Sequence, residues 1–333
     1  MNKRILVIGK DLNYNLEYFM TRAFHRDNNE VKFIGFANAL RHRNYETLRM
    51  LWARSKFFRD ASIPFFLQRV NDTYLKIARE FNPDIVFSIK GESVLPNYVN
   101  KIRKEVGSKI VLWYPDDPRF FTSLSRHIAP SYDVIFTCSQ RATDLYRSIE
   151  IEKVHRLPFA CDPELHVNDF NAHEKTRKAL FIGSFSPKRY KLIKKLISMG
   201  TKIDIIGSNW PPSFFNYVVS KAILGQQYVS ALQSYSVILN IHQDILYGPN
   251  MRTFEATGSG ALLLSDAVED INTFFSPNRE ILLYETAEEA FEKINQTLEG
   301  EETNFDMVIK AYKKCHEKYT YDIRVKEVLR TLI

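Results

Sequence analysis

The chain has 333 residues, 45% hydrophobic and 26% charged, which excludes a disordered chain and exceeds what one core ordinarily serves. Apolar runs such as 5–8 and 261–264 fall far short of the roughly 18 residues of a membrane span, and the charged opening MNKRILVIGKD is not expected to be a secretory leader. Three scattered cysteines, Cys138, Cys161 and Cys315, supply neither a disulfide frame nor a zinc cage, so a cytoplasmic protein is expected.

Short apolar runs alternate with longer amphipathic ones. Residues 4–8, 31–36, 84–89, 109–113, 133–137 and 153–157 read as strands, and 13–24, 71–81 and 95–106 carry helical spacing between them. After a polar stretch at 162–175 the alternation restarts, with strands at 179–183, 202–206, 237–241, 261–264 and 280–283. Two helical patterns, 304–319 and 321–332, close the chain. Apolar strands that do not alternate, separated by helices, indicate parallel sheets covered on both faces. The expected architecture is α/β, with two doubly wound parallel-sheet domains at 1–168 and 169–310 and a C-terminal helical segment, 311–333, crossing back to the first. The net charge of +7 is uneven: residues 1–160 carry 26 basic and 17 acidic side chains, and residues 161–333 carry 20 and 22. That imbalance points to an anionic partner for the first half.

Open parallel sheets bind ligands beyond the carboxyl ends of their strands. In the second domain, FIGSFSPKRY (181–190) ends a strand at Gly183; Ser184 follows, Ser186 is a natural N-cap and Pro187 suits the first helical position. The helix start beside Lys188 and Arg189 suits a phosphate; the plainer alternative is a capped helix with solvated cations. In YGPNMRTFEATGSGALLL (247–264), Asn250 caps a helix that places Arg252 and Glu255 on one face, and Gly258, Ser259 and Gly260 release the chain into a buried strand. Glu255 suits the two hydroxyls of a ribose, and Arg252 a diphosphate or a sugar hydroxyl. The alternative is an i,i+3 surface salt bridge.

In the first domain, Asp116 and Asp117 end a strand where a general base would belong, although Asp-Asp-Pro also serves as a turn. Lys90, Gly91 and Glu92 end another strand and, with Gly9, are candidate cleft residues; an ordinary loop with one charge pair is the alternative. No Asp-x-Asp signature follows a strand, and His166 and His173 stand at no ligand spacing, so no metal is expected. Residues 41–69 interleave Arg41, Arg43, Arg49, Arg54, Lys56, Arg59 and Arg69 with Tyr45, Trp52, Phe57, Phe58, Phe65 and Phe66. Such a stretch suits an anionic membrane surface or a phosphate- or lipid-linked acceptor, or else forms an ordinary helical pair with buried aromatics. No nucleic-acid module accompanies it, and no nucleic acid is expected.

The run Asn250-x-Arg252-x-Phe254-Glu255 followed by Gly258-Ser259-Gly260 resembles the donor-site signature of CgeB-like glycosyltransferases, relatives of the group-1 (family 4-like) enzymes with the GT-B fold. WYPDDPRF (113–120), SYDVIFTCS (131–139), LPFACDPELH (157–166), FIGSFSPKR (181–189) and YTYDIR (319–324) are similar to the family's other segments in order and spacing. The resemblance implies two Rossmann-like domains. The second binds a nucleotide-diphosphate sugar of UDP, GDP or dTDP type as donor substrate, and the first receives a glycan, lipid-linked or protein acceptor. Many group-1 relatives carry two glutamates eight residues apart. Glu255 matches the second, which contacts the ribose, and the first falls on Tyr247, so the contact to the transferred sugar is missing or replaced. Transfer would be metal-independent, with Lys188, Arg189, Arg252 and the helix start after Gly183 balancing charge on the departing diphosphate and Asp116 or Asp117 as base. No bound cofactor is expected, and the protein would be cytoplasmic and peripheral at the inner membrane face. Two other readings remain open: a nonhydrolysing sugar-nucleotide epimerase of the same architecture, and a noncatalytic nucleotide-sugar-binding protein.

Overall fold

The computed structural model describes residues 2–11, 13–40, 56–170, 175–243, 248–300 and 304–332. The chain forms two compact units, Met1–Pro158 with Val325–Ile333, and Phe159–Arg324. This division differs from the boundaries read at 168/169 and 310/311. The segment Phe159–Asn168 folds with the second unit because Cys161 bridges to Thr320 and its N–H donates to Tyr319 O. The helix Phe305–Lys318 belongs to the second unit as well.

The first unit holds a six-stranded parallel sheet in the order β2-β1-β3-β4-β5-β6. Its strands are β1 (Arg4–Gly9), β2 (Glu30–Gly35), β3 (Ile85–Ile89), β4 (Lys109–Tyr114), β5 (Val134–Thr137) and β6 (Val154–Arg156). Ile5 pairs with Val31 on one side and Ile85 on the other. The central strands are buried on both faces, which explains their unbroken apolar sequences. The helix Leu16–Arg26 begins where Asn15 Oδ1 accepts the Tyr18 N–H at 3.1 Å, and it turns Phe19, Met20, Ala23 and Phe24 into the core. The helix Pro96–Val106 starts on proline and stops at Gly107, whose φ of 79° is the left-handed conformation glycine adopts freely.

The helix that packs on β1 runs Lys56–Phe81, starting well upstream of the 71–81 pattern, with Pro64 inside it. Within the stretch 41–69, Arg41, Arg43, Tyr45, Arg49, Trp52 and Arg54 lie outside the described residues, as do the side chains of Lys56, Phe57, Phe58 and Arg59. Phe65 is exposed, Phe66 packs on the core and Arg69 is exposed. Among the described residues no helix is long and apolar enough to cross a membrane.

The second unit holds a parallel sheet in the order β12-β11-β10-β7-β8-β9. Its strands are β7 (Thr176–Ile182), β8 (Ile203–Ile206), β9 (Val218–Ser220), β10 (Tyr235–Asn240), β11 (Leu263–Asp266) and β12 (Leu282–Tyr284). The short edge strand β9 carries too few apolar residues to stand out in sequence. Phe181, Trp210 and Phe214 form the aromatic part of the core, Trp210 and Phe214 stacking at 5.3 Å. Trp210 Nε1 donates to Gly183 O at 3.0 Å and so anchors the loop after β7. Gly207 permits this geometry, since a Cβ there would lie 2.0 Å from the same carbonyl oxygen.

Strand order reverses between β1 and β3 in the first sheet and between β7 and β10 in the second. At such points the connecting helices leave in opposite directions and open a crevice at the carboxyl edge. In the first unit the wall of that crevice is held by Asn71, a fully buried side chain on Lys56–Phe81. It donates to Leu67 O at 2.7 Å and Ser93 O at 2.9 Å, and accepts from the Leu95 N–H at 2.9 Å. Asn71→Ala strands the partners of the loop after β3 and should cost about 2–4 kcal/mol, read as a lower urea midpoint at constant m-value. An unchanged midpoint would mean that water replaces these bonds at no cost.

Candidate functional site

At the reversal point of the second sheet, three cations converge on backbone and carboxylate acceptors. The strand β7 ends at Ile182; Gly183 and the exposed Ser184 lead to Ser186, whose hydroxyl caps the helix Pro187–Ser198 by accepting from the Arg189 N–H. Arg189 turns back across the strand ends. Its Nε and Nη2 donate to Ile241 O at 3.3 and 3.2 Å, its Nη1 donates to Ser184 O at 3.0 Å, and the guanidinium lies over the Phe181 ring. Burial pulls Arg189 below the ordinary arginine range, opposed by the charge of Asp266. Lys188 pairs with Asp266 Oδ2 at 3.1 Å.

The second half of the site is the helix Met251–Gly258, capped by Asn250, whose Oδ1 accepts from the Thr253 N–H at 3.2 Å. Asn250 and Asn240 exchange side-chain amide hydrogen bonds at 3.0 and 3.2 Å, fixing the helix start against β10. Arg252 and Glu255 face together as their spacing requires: Nη1 stands 3.3 Å from Glu255 Oε2, while Nη2 donates to Ile182 O at 3.2 Å. The guanidinium lies 4.6 Å from the centroid of the Tyr228 ring, and Tyr228 Oη donates to the same Glu255 Oε2 at 2.7 Å. Both hydrogen bonds to the carboxylate therefore fall on Oε2. Burial pulls Arg252 below its ordinary range, against the charge of Glu255, and nearby Arg189 adds to the fall.

Three groups here were not singled out by sequence. Asp266, at the end of β11, binds Lys188 and accepts from the backbone N–H of His242 at 3.0 Å. His242 is fully buried: Nδ1 stands 2.6 Å from Asp266 Oδ1 and Nε2 accepts from the Asn250 N–H at 3.1 Å. This places the ring proton on Nδ1 and ties β11 to the capped helix start. Burial pushes Asp266 up, but hydrogen bonds from the His242 ring and backbone, with the charge of Lys188, outweigh it and hold the carboxyl below its usual range. Tyr228, 27 residues before Glu255, is the third. Only Asp266 left a trace, a lone acid closing the apolar run 261–264.

The glycines after the helix take a different role from the close ligand approach expected. A Cβ on Gly258 would stand 2.6 Å from Cys161 Cβ, and one on Gly260 (φ +67) would stand 2.7 Å from Asn168 Nδ2. Ser259 is fully buried and its carbonyl accepts from Asn168 and Gln233. All three positions are accounted for by packing at the far end of the helix from Asn250. Tyr247 lies outside the described residues.

In the first unit the candidates separate. Asp117 is 2% exposed, and its Oδ2 accepts from Ser125 and Tyr146, each at 2.6 Å, so it braces the turn after β4 and is withdrawn from solvent. Asp116 is paired with Lys90, joining the ends of β4 and β3. Gly91 (φ +66) is hemmed in by Leu112 and the Tyr132 hydroxyl and is explained by that turn. Gly9, Lys90 and Glu92 do line one cavity, together with Glu17, which sequence inspection passed over. Its signal was an acid beside Leu16 and Phe19 on the apolar face of the first helix. Among the described residues no group of three or more His, Cys, Asp or Glu side chains is placed to hold a metal ion.

Residues 188–330 match the model of a family described as glycosyl transferase-like. Over 182 residues the chain is 22% identical to the spore protein CgeB of Bacillus subtilis (strain 168), a match spanning 52% of this chain and 56%, about half, of that relative's length. Sucrose-phosphate synthase from Thermosynechococcus elongatus superposes with a TM-score of 0.67 at 8% identity, covering 99% of both chains. HepE of Anabaena, solved in complex with UDP, gives 0.62 at 10% identity and 99% of both chains. The apo lipopolysaccharide outer core galactosyltransferase WaaB gives 0.63 at 14% identity, covering 99% of this chain and 100% of that one. The fold is thus GT-B, two six-stranded parallel sheets flanked by helices.

The burial of Asp117 has a consequence that titration can read. Burial raises its carboxyl from an ordinary 3.8 to about 6, against the hydrogen bonds from Ser125 and Tyr146. The unfolded chain therefore loses this proton first as pH rises, and the associated stability, on the order of 3 kcal/mol, is present below pH 4 and lost as pH rises through about 6. Asp117→Asn, compared with wild type by urea denaturation from pH 3.5 to 7, should remove that part of the slope. Parallel profiles for the two proteins would show that Asp117 ionises freely in the fold.

Proposed function

We propose that this chain, whose residues 188–330 belong to the glycosyl transferase-like family, moves a sugar from a nucleoside-diphosphate sugar of UDP, GDP or dTDP type onto a carbohydrate, lipid-linked or protein hydroxyl. One observation carries the reading: Lys188, Arg189, Arg252 and Glu255 meet at the carboxyl ends of β7, β10 and β11, beside the reversal of strand order where doubly wound sheets take nucleotides. The UDP bound to HepE, a protein of the same fold, supports this choice of ligand.

Each group has a physical task. As the sugar leaves, negative charge gathers on the diphosphate while the anomeric carbon becomes oxocarbenium-like. Arg252 and Arg189 are held as planar donors by backbone carbonyls and aromatic rings, so a phosphate meets them already oriented. Lys188 adds a third cation at the start of the helix, where backbone N–H groups and the helix dipole favour an anion. Glu255 keeps Oε1 for the ribose hydroxyls, because Tyr228 and Arg252 both bond to Oε2. In this reading fixed cations of the chain balance the leaving charge without a metal, and EDTA leaves the rate unchanged.

Glu255→Gln keeps the shape of the side chain and an acceptor for Arg252 and Tyr228 while removing the charge that grips the ribose. Thermal shifts with UDP, GDP, ADP, CMP and dTDP sugars should show one base preferred by wild type, with affinity in Glu255→Gln lowered about 10-fold or more and the ligand-free midpoint nearly unchanged. No shift with any nucleotide sugar, or equal shifts in both proteins, would remove the assignment.

A further inference from the structure

Four segments of the second unit meet at one ring. His242 follows β10, Asp266 ends β11, Asn250 caps the helix Met251–Gly258, and Lys188 lies in the first turn of the helix Pro187–Ser198. The imidazole is fully buried. Its Nδ1 donates to Asp266 Oδ1 at 2.6 Å, Asp266 Oδ2 accepts from Lys188 at 3.1 Å, and Nε2 accepts from the Asn250 N–H at 3.1 Å. One residue earlier, Ile241 O accepts from Arg189. His242 therefore links Lys188, through Asp266, to the residue that starts the helix carrying Arg252 and Glu255.

A neutral imidazole offers one donor and one acceptor on opposite edges of a rigid plane, and both are used here. A second proton turns Nε2 into a donor. It would then face the Asn250 N–H, donor against donor, in a space closed to water. Two buried N–H groups without acceptors are costly, and the strain is relieved when the helix start moves off the ring. Arg252 and Glu255 stand two and five residues beyond Asn250, so such a movement reaches the donor site directly.

We propose that His242 is a positioning residue that works only as the neutral ring, so that a second proton on it weakens the binding of a nucleotide sugar 10-fold or more. This rests on the donor reading above. Histidine is the side chain that ordinarily changes charge between pH 5 and 8. Of the groups that face it, Asp266 is held below the usual carboxylate range and stays ionised over that interval. Lys188 and Arg189, from the neighbouring helix, reach the ring through Asp266 Oδ2 and Ile241 O. Tyr284, on β12, donates to Asn240 O at 3.0 Å, and burial pushes its hydroxyl well up, so it stays neutral. Linkage makes the effect reciprocal: if the neutral form binds 10-fold tighter, bound ligand lowers the pH at which the ring takes its second proton by about one unit.

The test uses the full chain with UDP-glucose, GDP-mannose and dTDP-glucose. Their diphosphates are diesters that keep the same charge between pH 5 and 8, so the ligand adds no titration of its own. Dissociation constants from calorimetry over that range are set beside 15N spectra of histidine-labelled protein, the His242 signals being those absent from His242→Gln. For the sugar that binds most tightly, wild type should weaken 10-fold or more as the ring gains its second proton. Saturating ligand should move that protonation down by about one pH unit. His242→Gln keeps an acceptor for the Asn250 N–H and takes no proton, so its affinity should stay constant across the range. If it fails to fold, His242→Asn identifies the signals and the wild-type shift on saturation decides. An affinity that stays flat or rises as the ring is protonated, a ring that remains neutral down to pH 5, or an unchanged pH profile in His242→Gln overturns the role of His242 alone. Absence of binding by all three sugars at every pH overturns the donor reading and this role together.

Discussion

Two backbone carbonyls organise the second unit: Ile182 O at the end of β7 and Ile241 O just past β10, which receive guanidinium N–H groups from Arg252 and Arg189. These strands are neighbours at the reversal of strand order, where helices depart to either side and leave the edge between them uncovered. Arginine fits this setting because its planar fork donates to a carbonyl with one edge and keeps N–H groups for a ligand with another. The ring of Phe181 beneath one guanidinium and that of Tyr228 beneath the other limit their motion. Glu255 and Asp266 then set the charge balance, offsetting cations that would otherwise repel one another in a partly buried space, while His242 orients Asp266.

The first unit repeats the topology with opposite chemistry. Where the second presents cations on a carbonyl-lined edge, the first lines its crevice with Asp11, Glu17 and Glu92 alongside Lys10 and Lys90. The net charges of the two halves run the other way, the first half being the basic one. A halfwise sum averages over exposed side chains that never approach the crevice, so it carries little information about the charges within it. What matters at a site is which few charges are held close together in a low-dielectric setting.

Much of the local structure was readable along the chain. Ser186 and Asn250 as N-caps, Pro187 as the first helical residue, and the shared face of Arg252 and Glu255 depend only on neighbours within four positions. The apolar strands stood out because parallel strands are covered on both faces. By contrast, Lys188 and Asp266 are 78 residues apart, Tyr228 and Glu255 are 27 apart, and the carbonyls that seat the arginines have no side-chain signature at all. Gly258 shows the opposite error: a glycine beside a motif invited a ligand, whereas the sulfur-bearing side chains of Cys161 and Cys315 fill the space next to it.

The residues in order were enough to set two α/β halves, the helix starts that flank the candidate donor site, and the pairing of an arginine with a glutamate one turn away. Those features follow from periodicity and capping, which act over one or two turns of chain. Only the tertiary structure decided that Asp117 is an internal brace, that His242 and Asp266 lock the capped helix to its sheet, and that Glu17 is buried at the edge of a cavity. Each of these depends on which strand ends become neighbours, and strand order is set by packing across the whole sheet, beyond the reach of local sequence.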